Sequence, residues 1–164
     1  MEYPFGYFAD PKTLEPLKFQ RVHLCHLEGK PLQGILGWIF FWVKVPQYEL
    51  LQDILYVTRP NVGGMRRHIL VKAGFIFNGG SIPFLFWWLY PPDQPDCLPA
   101  FVIHDWLCTP DIDGKYQLDS PVCHNYLHDG CLANGAPETR ANLIRRAVML
   151  LGPKFKGVET CRAD

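Results

Sequence analysis

The sequence predicts an α+β fold, with N-terminal antiparallel strands followed by a three-helix C-terminal half. Three observations predict it. Residues 19–77 carry short β-branched and aromatic runs separated by turn residues. Residues 98–151 carry apolar positions at helical spacing. A length of 164 residues with 48% hydrophobic content fits one domain, 1–164, with an ample core.

Taken in order, Pro4, Pro11 and Pro16 keep residues 1–18 an irregular arm, because proline interrupts any long helix. Phe19 to His26 alternates around Val22 and Leu24 and reads as a strand. Glu28-Gly29-Lys30-Pro31 reads as a turn. Ile35 to Val45 reads as a buried or interface strand, and Gln52–Arg59 and His68–Phe77 as two more. Asn61-Val62-Gly63-Gly64 between these two has hairpin chemistry. Leu98 to Cys108 is a short apolar helix ended by the 109–114 loop. Ser120-Pro121 offers an N-cap and a first-turn proline for a second helix running to Asn134. Pro137 opens a third, with Ala141, Ile144, Ala147, Val148 and Leu151 on one face and Gly152-Pro153 closing it.

Composition narrows the function classes. Sixteen basic and sixteen acidic residues give a formal charge of zero, which argues against nucleic acid as a partner. The local group Arg140, Arg145, Arg146, Lys154 and Lys156 reads as the solvated face of a helix. The longest apolar run, Gly34 to Val45, is too short to span a bilayer, so no transmembrane segment is expected. Residues 1–15 lack the pattern of a secretory signal. The six cysteines show no C-x-x-C spacing and are expected as free thiols, with disulfides and metal ligation left open.

Three groups of residues could carry chemistry. His104 and Asp105 stand inside an apolar helix, where a polar pair costs free energy unless it is bonded. His is the usual general base, and the adjacent Asp could hold a cation. The same pair reads equally as a buried, hydrogen-bonded structural feature. On the next helix His124, His128 and Cys131 form a stripe, and His104 and Cys108 repeat the four-residue spacing. If the two helices pair antiparallel, these ligand types could gather around zinc, or they could be a packing face. Asn78-Gly79-Gly80-Ser81 could let backbone groups approach a ligand or simply close a strand.

At this level of detail the chain resembles an uncharacterised domain family of phages and prophages. The matching residues are Gly74-Phe75, Ser81-Ile82-Pro83 and His104-Asp105-Trp106-Leu107, and the likeness spans roughly residues 50–155. Residues 1–50 then form a divergent N-terminal arm and strands, and 51–157 the family-like core. The family pattern is Gly-Phe-x-Thr-Asp-x-Ala-Ser-Ile-Pro followed by His-Asp-[Trp/Tyr]-Leu-Tyr. Its Asp before Ala-Ser-Ile-Pro falls on Asn78, its Ala on Gly80, its Tyr after the His-Asp motif on Cys108, and an Asp of its second helix on Asn125. An amide keeps hydrogen bonds but cannot act as an anionic ligand.

The His-Asp helix after a Gly-rich loop is also similar, more distantly, to secreted phospholipase A2. That likeness implies His104 as base, Asp105 with the Asn78–Gly80 backbone as a calcium site, and Asn125 orienting His104. The resulting candidate residues are His104, Asp105 and Asn125 for catalysis, Asn78, Gly79, Gly80 and Ser81 for cofactor binding, and His104, Asp105, Cys108, His124 and His128 for a metal. No cofactor is the leading expectation, with calcium or zinc as alternatives.

The phage resemblance implies a structural or accessory protein of the virion or tail, located in the virion or the host cytoplasm, with other phage proteins as partners. Trp38–Val43 would supply an aromatic interface. The alternatives are a small His-dependent hydrolase of lipid or cell-wall bonds and a zinc-stabilised interaction module.

Overall fold

A computed structural model describes residues 3–31, 44–77 and 95–158. Within them the order is β1 (Tyr7–Ala9), β2 (Leu24–Pro31), β3 (Lys44–Leu50), β4 (Ile54–Val57), β5 (His68–Val71), β6 (Ile76–Phe77), α1 (Leu98–Leu107), α2 (Ser120–Ala133) and α3 (Glu138–Leu151). The strands form two small antiparallel sheets, β1-β4-β5 and β2-β3-β6. Strands followed by three helices make an α+β arrangement, as the sequence predicts.

Strand positions follow burial. β4 lies between two neighbours, and all four of its residues are buried. β5 sits at the edge and alternates, with Ile69 and Val71 inside and His68 and Leu70 outside. The arm is less irregular than its prolines imply, since Tyr7–Ala9 pairs with Leu55–Val57.

Three expectations about the strands are corrected. Glu28–Pro31 is part of β2, not a turn. Its register slips between Leu27 and Lys30, so a bulge takes up the glycine that reads as a turn signal. The single strand expected over His68–Phe77 is two strands in different sheets. Gly74, at φ +88°, turns the chain between them, and its N–H donates to the Leu50 carbonyl. The strand expected to begin at Phe19 begins at Leu24. The expected run from Ile35 lies outside the described residues up to position 43; beyond it, Lys44–Leu50 is β3.

α1 organises the core. Eight of its ten residues are buried, Asp105 is half-buried and Trp106 is exposed, so nearly the whole helix faces the core. Leu98, Val102, Ile103 and Leu107 pack with Phe8, Ile54, Tyr56, Val71 and Phe77 from both sheets. Ala100 and Phe101 pack on the other side with Leu127 of α2 and Ile144 and Val148 of α3. Each such side chain contributes about 1.5–3 kcal/mol on burial.

α2 begins at Ser120, with Asp119 rather than Ser120 in the N-cap position. Neither side chain caps the helix. Asp119 accepts from Gly157 N–H at 2.8 Å and Ser120 Oγ from Phe155 N–H at 3.4 Å, tying the chain after α3 to the start of α2. At the far end of α2, buried Asn134 accepts from Gln20 N–H at 2.7 Å. Its amide lies 3.3–3.4 Å from the Gln20, Pro95 and Asp96 carbonyls. One side chain thus joins the N-terminal segment, the entry to α1 and the exit of α2.

Gly130 sets the distance between α1 and α2. A Cβ there would stand 2.9 Å from Ala100 Cβ, inside van der Waals contact. Helix propensity alone favours alanine over glycine by about 1 kcal/mol. The crowding reverses that preference, because overpacking typically costs about 1–3 kcal/mol. Gly130→Ala should therefore lower stability in urea denaturation despite its better propensity. Combined with Ala100→Gly it should lose less than the sum of the two single changes, by about 1 kcal/mol of coupling.

Candidate functional site

The polar centre of the domain lies where α1 and α2 cross. They run antiparallel: Ala100 meets Gly130 at one end, while His104 meets His124 and the Leu107 carbonyl lies by Cys123 toward the other. This packing places four His and Cys side chains in one small region. His104 Nε2 and His124 Nδ1 are 2.9 Å apart, so one ring donates and the other accepts. Both rings are buried, His104 at 0% and His124 at 1% exposure. Cys108 Sγ lies 3.5 Å from His104 Nε2, and the Asp105 carboxylate lies 3.5 Å from His104 Nδ1.

Burial and the neighbouring His104 push the His124 pKa down to about 4, and Lys154 adds to the fall. The Pro153 carbonyl is close enough to oppose the shift, yet His124 Nε2 has no well-formed hydrogen bond. His124 is therefore neutral at pH 7. The Cys108 thiol is hydrogen-bonded to Cys123, which together with burial raises its pKa; the same bond lowers that of Cys123. A second thiol pair, Cys97 and Cys131, lies near the other end of the crossing. There the bond to Cys97 and burial raise the Cys131 pKa. All five described cysteines are free thiols.

The candidate residues separate into distinct places. His104, Asp105, Cys108 and His124 come together. His128 does not join them: its Nδ1 lies 3.1 Å from Asp129 Oδ1, one turn further along α2. Asn125 is not at His104 either. Its Oδ1 accepts from Arg145 Nε at 2.8 Å, so the orienting role implied by the phospholipase likeness falls to no residue at that position. The reason is helical phase: His124 faces α1, and Asn125 is turned about 100° away. Asn78, Gly79, Gly80 and Ser81 lie outside the described residues.

The His and Cys stripe of α2 is real but too long for one ion. His124 and Cys131 are seven residues apart, about 10 Å along a helix. They serve different partners, His104 and Cys97. Among the described residues, no group of three or more His, Cys, Asp or Glu side chains is arranged to hold a metal ion.

Two participants are not picked out by sequence reasoning. Cys123 precedes the stripe and faces Cys108 by virtue of the antiparallel register. Asp129, 2% exposed, meets Arg59 Nε at 3.2 Å, linking α2 to the end of β4. The sequence signal for Asp129 is an acid between apolar helix positions with no cation three or four residues away. Its partner lies seventy residues earlier. No described helix is long and apolar enough to cross a membrane.

Comparison with known proteins adds a family and nothing finer. No curated protein and no solved structure matches the chain. Residues 48–152 match the family model described as a protein of unknown function (DUF1353). That match runs from the end of β3 through α3, and with it both helices of the buried centre, so the chain belongs to the DUF1353 family.

Proposed function

We propose that this chain is a bacteriophage structural or accessory protein, associated with the virion or tail and working with other phage proteins. In this reading the His104 centre is a structural lock between α1 and α2. One observation carries the lock: His104 is wholly buried, with Nε2 engaged by a second buried imidazole. A general base must come within hydrogen-bond reach of the proton it removes, directly or through one water. His104 instead makes its contacts within the protein. The phage setting is supported by the motif resemblance at Gly74-Phe75, Ser81-Ile82-Pro83 and His104–Leu107.

A lock has a mutational signature. His104→Ala removes a buried ring and leaves His124 Nδ1 without its partner. Stability in urea should fall by about 2–4 kcal/mol, the combined effect of a cavity and an unsatisfied buried group. A variant as stable as the parent would sink the lock.

A second signature is pH. The folded pKa of His124, about 4, lies below the ordinary imidazole value of 6.5, so the unfolded chain binds the proton first. The associated stability is complete above pH 6.5 and is lost as pH falls from 6.5 toward 4. The loss is on the order of 2–3 kcal/mol. Asp10 and Asp53 titrate below this window. Thr13 N–H holds the Asp10 carboxyl under its usual range, and Lys72 does so for Asp53. Urea melts at pH 7, 5.5 and 4.5 should show the decline, and His124→Asn should flatten it.

The virion assignment is checked directly. Mass spectrometry of particles purified from the phage that encodes the chain should detect it at a defined copy number. Its absence from virions at every stage of assembly would overturn the assignment while leaving the lock untouched.

A further inference from the structure

Residues 139–158 carry five cations, Arg140, Arg145, Arg146, Lys154 and Lys156, and no carboxylate, in a chain whose total charge is zero. Most of this stretch is α3, which turns Ala141, Ile144 and Val148 into the core. The opposite flank carries Leu143, Arg146 and Leu150 at i, i+3 and i+7, so the three stand in one row. Leu143 is 43% exposed and Leu150 78%, and Leu151 at the helix end is 62% exposed. Single exposed leucines are ordinary on a protein surface. Three of them over nine residues, interleaved with cations, form the pattern of an interaction surface.

The charge is concentrated where the leucines are. Among the described residues, Arg140 alone of the five cations forms an ion pair, with Asp96. Arg145 donates through Nε to the neutral Asn125 side chain. Lys154 donates to the Met149 carbonyl, which folds its ammonium back over the last turn of α3. Beyond the helix the chain alternates. Phe155 stacks on Tyr116 with ring centres 3.9 Å apart, and Gly157 N–H donates to Asp119 at 2.8 Å. Lys154, Lys156 and Val158 are thereby left exposed. Glu138, the acid of α3, stands at the opposite end of the helix.

We propose that the outer flank of α3 and the segment after it dock on the surface of an anionic lipid bilayer. Charge complementarity selects the occupant: a cluster of Lys and Arg on an amphipathic helix is attracted to anionic headgroups. The leucines project from a convex helix flank, which a fluid acyl layer accepts without a complementary pocket. Arg146 stands between Leu143 and Leu150 in the row, and its aliphatic stem can lie along them while the guanidinium stays at headgroup level. A second copy of the chain fits this face poorly, because a two-fold contact sets the same patch against itself and brings like charges together.

The test is flotation of the full chain with vesicles of equal parts phosphatidylglycerol and phosphatidylcholine, against vesicles of phosphatidylcholine alone. The expected result is binding to the anionic vesicles only, weakening as salt is added. Arg146→Gln, Lys154→Gln and Lys156→Gln should each weaken it about fivefold. Arg146→Lys should bind like the parent, because a headgroup layer reads charge rather than the guanidinium fork. Leu150→Ser should weaken binding about tenfold through lost apolar insertion. Lys12→Gln, beside Asp53 and Lys72 away from α3, should leave it unchanged. Melting curves accompany each variant, and if Leu150→Ser melts early the glutamine variants decide. The proposal is overturned by any of four results: equal binding to both vesicle types, glutamine variants that melt and bind like the parent, a dimer that Leu150→Ser dissociates in place of vesicle binding, or a duplex oligonucleotide that binds the chain and displaces it from the vesicles.

Discussion

Burial of α1 on both sides is the constraint from which the rest of the structure follows. A helix with eight of its ten residues buried is covered by both sheets on one flank and by two helices on the other. Every polar group it carries inward then needs a partner inside the protein. His104 is that group, and the antiparallel register of α2 supplies His124 at 2.9 Å. Close approach is a condition of the same contact. With a larger residue at Gly130, α2 would be pushed off Ala100, and the two imidazoles one to two turns away would separate.

The connections around α1 follow the same logic. Its entry is held by the buried Asn134 amide and by the ion pair of Asp96 with Arg140 of α3. Its exit is met by Cys123 of α2, whose Sγ lies 3.9 Å from the Leu107 carbonyl. The sheets approach it through Phe77, Ile54 and Val71, whose strands belong to different sheets. α1 therefore does for the two sheets what a shared strand does elsewhere: it gives them a common core, although among the described residues no strand of one pairs with a strand of the other.

How much of this is legible in the sequence depends on distance along the chain. The helices are legible because their cues are local: Pro121 near the start of α2, Gly135 after its end, and the apolar face of α3. The split of His68–Phe77 is harder, since Gly74 inside an apolar run is compatible with a bulge as well as a turn. What decides it is the bond from Gly74 to Leu50, more than twenty residues back. The His-Cys stripe is correctly read as one helix face, but helical spacing says nothing of where partners lie along the axis. His124 meets α1 at His104, Cys131 meets Cys97 and His128 meets Asp129, so one stripe has three destinations. The Arg59–Asp129 pair is invisible locally for the same reason.

The two polar regions of the domain answer to opposite physical demands. At the α1–α2 crossing the two facing imidazoles are buried, and His124 is held neutral. Protonating His124 there is unfavourable, so its ring serves best as a fixed hydrogen-bonding group rather than a proton carrier at neutral pH. Around Arg59 the groups are charged, partly exposed and carried on a connection between strands. Asp129 joins the two regimes. It leaves α2 from the buried face one turn beyond His124 and ends on Arg59. The helix that carries His124 to His104 is therefore also the helix that carries Asp129 to Arg59.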